Sequence, residues 1–256
     1  MITAKKSLGQ NFLKSKLALT KIVEAGEVNS EDIILEVGPG KGVLTEKLLA
    51  VAKKVIAVEK DDRLIPFLQE KFAQEITEGK LEIIHGDILD FSPTVYSLQS
   101  TDYKVIANIP YYITGQFLRK FLETDYQPER IVVMVQKEIA QRIVANDGKE
   151  SLLSISVKAY GMPKKVMTVD KENFSPAPKV DSAILLISNI SKQLFTDNQI
   201  DEKTFFGILH AGFAHKRKIL SSNLKGILPA EKLATLPQNI RAEDLTIQDW
   251  ANLIKN

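Results

Sequence analysis

The chain has 256 residues, 44% of them hydrophobic and 26% charged, with a formal net charge of +2. That length and balance fit one large folded domain with a smaller appendage, and the near-neutral sum by itself says little about nucleic acid. Cysteine is absent and histidine is limited to His85, His210 and His215, which excludes disulfides and thiolate nucleophiles and leaves no expected metal site. With no apolar run of membrane-spanning length and no secretory apolar segment near the start, the expectation is a cytoplasmic protein without membrane attachment.

The first 23 residues carry lysines but neither acid nor arginine. Composition alone reads them as a solvated arm, although the motif segments quoted below place them in the folded body. Lys5, Lys6, Lys14 and Lys16 stand where phosphate-contacting groups of such an arm would. Short, nearly continuous apolar runs follow at Ile33–Val37, Val55–Val58, Leu81–Ile84, Val105–Ala107 and Ile131–Val135. Runs of this kind are strands buried on both faces. Helical spacing separates them at Val43–Val51, Arg63–Phe72, Gln116–Leu122 and Lys137–Val144. Strands alternating with helices mean an α/β fold with a mostly parallel sheet. Lys164–Val169 and Val180–Ser188 read as two late strands around a proline-bearing loop, Asn173–Lys179. Everything beyond about Ser191 reads as helical, including one long helix over Thr204–Leu224. The predicted division is therefore 1–190 and 191–256.

Glu36-Val37-Gly38-Pro39-Gly40-Lys41-Gly42 runs from a strand into a glycine turn and then a helix. Glycines there let the backbone turn sharply and approach a ligand closely. The dinucleotide fingerprint fails, because its third glycine is Val43, and no G-K-[ST] phosphate loop occurs. Two readings remain. One is the E-x-G-x-G-x-G turn typical of S-adenosylmethionine enzymes; the other is a turn with no ligand. Glu59 ends the next strand, where a carboxylate can accept from the vicinal hydroxyls of a ribose. Asp87 follows the third strand and could accept from an adenine amino group. Either acid alone is equally a turn or helix cap. Three such signals at successive strand ends favour a nucleoside-bearing cofactor.

The fourth strand ends in Asn108-Ile109-Pro110-Tyr111-Tyr112. An aromatic amine is a poor nucleophile, because its lone pair is delocalised into the ring. The Asn108 side-chain oxygen, with the backbone carbonyl of Ile109 or Pro110, could accept both amino hydrogens and aim the lone pair at a methyl donor. Tyr111 could stack on the base. The competing reading of Asn-x-Pro-Tyr is a tight turn with a capping asparagine.

Several segments taken together resemble the small-subunit ribosomal RNA adenine N6,N6-dimethyltransferases, with the erythromycin-resistance methyltransferases as relatives. They are Lys6–Leu13, Glu36–Gly42, Glu59, Gly86-Asp87, Asn108–Tyr111, Asn173–Ser182 and Phe213–Lys218. The resemblance implies a Rossmann-like sheet of seven strands with the last one antiparallel, then a small all-helical domain contributing to RNA recognition. It implies S-adenosylmethionine held by Asn11, Leu13, Gly38, Gly40, Glu59, Asp87 and Asn108. It implies Asn108, Pro110 and Tyr111 at the reacting amine, and Phe174 flanking the flipped adenine opposite Tyr111. The implied partner is small-subunit RNA in a pre-ribosomal particle, met by a monomer without metal. Tyr112 stands where many members carry asparagine. Lys216-Arg217-Lys218 reads as a solvated basic helix face with a weak electrostatic pull on RNA.

Overall fold

A computed structural model describes residues 3–96, 98 and 103–255. Among them are nine strands: β1 (Phe12–Leu13), β2 (Ile33–Val37), β3 (Lys54–Glu59), β4 (Leu81–His85), β5 (Tyr103–Ala107), β6 (Arg130–Gln136), β7 (Met162–Val169), β8 (Phe174–Ser175) and β9 (Ser182–Ser188). Seven form one sheet in the order β4-β3-β2-β5-β6-β9-β7, and β1 pairs with β8 separately. Strands β2 to β6 run parallel. The last strand, β9, is antiparallel to β6. The five apolar runs and the two late strands are the seven sheet strands. The inner strands are buried because helices cover the sheet, so no polar alternation survives in β5 or β6, while the edge strands β4 and β7 are half-buried.

Strand order reverses between β2 and β5, the crevice where α/β sheets bind ligands. The parallel ladder continues past the strand ends there. Gly38 N–H donates to the Val58 carbonyl (3.0 Å), Asn108 N–H to that of Val37 (3.2 Å), and Gly86 N–H to that of Glu59 (2.9 Å). These bonds hold four motif segments side by side.

The amino-terminal segment is only partly the solvated arm its composition indicates. A ten-residue helix, Lys16–Ala25, starts at Ser15, whose hydroxyl accepts the Ala18 N–H, and buries Ala18, Leu19 and Ile22 in the core. Lys5, Lys14 and Lys16 are exposed; the Lys6 side chain lies outside the described residues.

The chain divides into two compact units. One runs to Ala140 and resumes over Lys164–Ile190; the other comprises Gln141–Pro163 and the chain from Ser191. The segment 141–163 thus clusters with the helical end, although sequence pattern places it with the sheet. Aromatic packing explains its attachment. The Tyr160 ring lies 5.2 Å from Phe195 and 5.9 Å from Phe206, and its hydroxyl donates to Glu202 (2.6 Å). Pairs of this kind contribute about 0.5–1.5 kcal/mol each beyond burial.

The expected helix over Thr204–Leu224 is broken. The structure has Glu202–Phe213, a turn, and then Leu220–Asn223. Residues 214–219 are exposed throughout, so no apolar stripe binds a further helical turn to the core. The Asn223 side-chain amide donates to the carbonyls of Gly212 (2.6 Å) and His215 (3.2 Å), closing the helix end. Lys216-Arg217-Lys218 therefore sits on an exposed turn and not on a helix face.

Gly212 permits the closest approach within this unit. A Cβ there would lie 2.4 Å from the Trp250 ring, which is fully buried. Gly212→Ala is therefore expected to destabilise the helical unit by about 1–3 kcal/mol despite better helix propensity. A thermal melt followed by Trp250 fluorescence checks this. A melting temperature at or above that of the wild type would refute the contact.

Candidate active site

Ten residues stand out in the sequence as site residues: Asn11, Leu13, Gly38, Gly40, Glu59, Asp87, Asn108, Pro110, Tyr111 and Phe174. All except Leu13 line one cleft of about 850 Å³, open mouth included. Leu13 is buried in the core. It pairs with Phe174 across the β1–β8 ladder, so it fastens this segment from beneath without lining the cleft.

The floor is the glycine turn. Gly38, Gly40 and Gly42 all have positive φ (72°, 58° and 71°), a region other residues enter at a cost. Space is short as well. A Cβ at Gly38 would sit 3.1 Å from the Asn108 carbonyl oxygen, and one at Gly40 would sit 3.1 Å from the Phe12 ring. Side chains are thus excluded along the very surface a ligand would use.

The acids at the next strand ends are already engaged. Glu59 accepts the backbone N–H groups of Gly40 (3.1 Å) and Asp61 (2.8 Å). Burial raises its pKa, and those two N–H bonds oppose the rise. Asp87 accepts from Lys60 Nζ (2.5 Å) and Leu89 N–H (3.0 Å). Burial works against its charged form, but the Lys60 and Leu89 bonds hold its pKa below the ordinary value. Both carboxylates keep lone pairs for a ligand.

Asn108 ends β5. Among the described residues its side-chain amide has no hydrogen-bond partner, while its backbone is fixed to β2. The Tyr111 hydroxyl is hydrogen-bonded to Ser182 Oγ (2.5 Å). Phe174 is only 2% exposed. Its strand is held through β1 and by the bond from Lys14 N–H to the Asn173 carbonyl (2.8 Å).

Some site features escape sequence reasoning. Gln10 and Phe12 line the cleft from the amino-terminal side. Gln10 donates to Asp61 (2.8 Å), and the Lys41 ammonium lies 5.0 Å above the Phe12 ring. Lys60 and the exposed Tyr112 stand at the same cleft. The sequence signal for Lys60 is its place directly after a strand-end acid.

Glu36, under the turn, is 1% exposed with both carboxyl oxygens unpartnered. Burial pushes its pKa from 4.5 to about 8; the nearby Thr45 hydroxyl opposes this in part, and Glu59 reinforces it. A carboxyl held neutral in the fold contributes stability that is fully present below pH 4.5 and lost as pH rises to about 8. Glu36→Gln mimics the neutral form, so its melting temperature is expected to fall less than the wild type's between pH 5 and pH 8. Parallel melting curves across that range would show Glu36 to be charged in the fold.

Comparison with known proteins fits this arrangement. The family model for ribosomal RNA adenine dimethylase matches residues 1–256. A Dehalococcoides mccartyi protein named ribosomal RNA small subunit methyltransferase A is 43% identical, covering 98% of this chain and 88% of its own. One of the same name from Ligilactobacillus salivarius is 39% identical over 98% and 89%. Among solved structures, a dimethyladenosine transferase from Plasmodium falciparum aligns with a TM-score of 0.79 at 29% identity, covering 94% of this chain and 95% of that one. The 23S rRNA methyltransferase ErmE shares the fold, with a TM-score of 0.77 at 24% identity over 95% and 98%. With a family model matched along its whole length and a strand-end site built as described, this chain belongs to the ribosomal RNA adenine dimethylase family.

Proposed function

We propose that this methyltransferase moves methyl groups from S-adenosylmethionine to the N6 atoms of two adjacent adenines near the 3′ end of small-subunit ribosomal RNA. It acts as a cytoplasmic monomer on a pre-ribosomal particle, and the reaction needs no metal. The names of its relatives support the RNA class. The observation that carries the chemistry is the unpartnered Asn108 amide, in one cleft with Tyr111, Phe174 and the glycine turn.

The cleft fits the cofactor on its own chemistry. Gly38 and Gly40 leave bare backbone, Glu59 offers acceptors for a ribose, and Asp87 offers one for an adenine amino group. Asn11 covers from the amino-terminal side, fastened there by Leu13. When bound, the cofactor supplies an activated methyl group on sulfur.

The chain's own residues prepare the amine. Asn108 Oδ1 takes one N6 hydrogen, and the backbone carbonyl of Ile109 or Pro110 takes the other. The lone pair is then localised and directed out of the ring plane. Tyr111 and Phe174 enclose the base, offsetting the few kcal/mol needed to extrude it. No strong general base is required, since the product amine loses its proton readily to water. Lys5, Lys14 and Lys16, with the Lys216–Lys218 turn, supply sequence-independent attraction for phosphates.

Mass spectrometry of nucleosides tests the proposal. Small-subunit particles from cells lacking the dimethylase are incubated with this protein and the cofactor. Two N6,N6-dimethyladenines per particle are expected. Methylation confined to large-subunit RNA, or absent altogether, would overturn it.

A further inference from the structure

The two aromatic walls of the cleft are tied to one dipeptide. Ser182 opens β9, is fully buried, and is paired in register with Gln136 of β6. Its hydroxyl holds the Tyr111 hydroxyl at 2.5 Å. Asp181, one residue earlier, reaches the other wall. Its carboxylate accepts the Lys171 N–H (3.3 Å), at the start of the short helix Lys171–Asn173 that leads into Phe174. The Asp181 carbonyl accepts the Lys137 N–H (3.0 Å), which anchors the dipeptide to the end of β6.

We propose that Asp181-Ser182 fixes the gap between Tyr111 and Phe174, and that this gap governs the second methyl transfer to each adenine more than the first. The inference rests on the dimethylation reading above. Unmodified adenine offers two N6 hydrogens, one for Asn108 and one for the backbone carbonyl. After one transfer a single hydrogen remains, and one acceptor loses its partner. The monomethylated base is then located chiefly by the walls on its two faces. In the second step the N6 lone pair forms a bond to the methyl carbon. The carbon–sulfur bond breaks, its electron pair stays on sulfur as a neutral thioether, and the last N6 proton passes to water. Alignment in that step depends on the walls, and so on Ser182. Ser182 touches no reacting atom and is a positioning residue.

Burial holds the Tyr111 phenol in its neutral form, and the bond to Ser182 only partly opposes that. The ring is thus anchored by a neutral hydrogen bond, the loss of which shifts the equilibrium between held and released ring by about 2- to 10-fold.

Ser182→Ala and Tyr111→Phe remove this bond from its two sides, and each is nearly isosteric. The ratio of N6-monomethyladenine to N6,N6-dimethyladenine is measured by mass spectrometry at partial conversion of small-subunit particles. Ser182→Ala is expected to raise the ratio about fivefold with the first-transfer rate reduced less than threefold; Tyr111→Phe, which alters the base wall itself, is expected to raise the ratio at least as much, and the double variant to raise it no further than the larger single effect. A second readout uses the free protein: in a ¹³C-tyrosine spectrum, the signal that Y111F removes should shift in S182A. If S182A does not fold, Y111F interrogates the same bond. Wild-type ratios in both variants, or fully additive effects in the double variant, would overturn the inference. If the wild type forms no dimethyladenine at all, the functional reading itself falls.

Discussion

Asn108→Ala is expected to lower the single-turnover rate of methyl transfer about 10²- to 10³-fold, the effect of removing one preorganised polar partner from a transition state. Asn108 is suited to this role because its backbone is held and its side chain is free. Its N–H donates to Val37, its carbonyl packs against Gly38, and its amide faces no competitor among the described residues. The alanine variant keeps the β5 end in place, so cofactor affinity should fall no more than about tenfold, the value of one lost hydrogen bond. Asn108→Asp retains an acceptor oxygen and should keep more activity than the alanine. Rapid-quench single turnover with calorimetric cofactor titration separates the two quantities. A rate within threefold of the wild type in N108A would leave the amide without a chemical part.

Much of this site is legible in the sequence because it is built at strand ends. An apolar run announces each strand, and the polar residues within three positions after it are carried to the ligand edge. Glu59, Asp87 and Asn108 are found in this way, and the glycine turn by its spacing. What is not legible depends on encounters between distant segments. The pairing of Phe12–Leu13 with Phe174–Ser175 involves two-residue strands, too short to show a period. Ser182 looks like any residue beginning a strand until the fold sets it beside Tyr111, 71 positions away. The helix break after Phe213 hides behind a pattern that still spaces apolar residues helically. It is revealed only by the Asn223 side chain taking the Gly212 carbonyl. Likewise the attachment of 141–163 to the helical unit rests on Tyr160 meeting Phe195 and Phe206, an aromatic cluster that no local pattern encodes.

Glu59→Gln should weaken cofactor binding about 10²-fold while leaving the fold intact. In the wild type both carboxylate oxygens accept backbone N–H groups, one from Gly40 and one from Asp61. A glutamine has one oxygen and one NH₂ group, so one of these backbone donors must face another donor. In a buried place, such an unpaired donor costs about 1–3 kcal/mol. The Gly40 bond matters most, because it holds the turn at positive φ against Phe12. A relaxed turn would no longer offer its backbone to the ligand. The substitution also replaces charge-assisted acceptance from the ribose hydroxyls with a weaker neutral bond. Both effects act on binding and neither on the amine, so Glu59→Gln and Asn108→Ala should separate cleanly. At saturating cofactor, E59Q should recover much of its rate, and N108A should not. If E59Q bound the cofactor as tightly as the wild type, the acid would be a support for the turn alone, and the ribose would have to be held by other groups in the cleft.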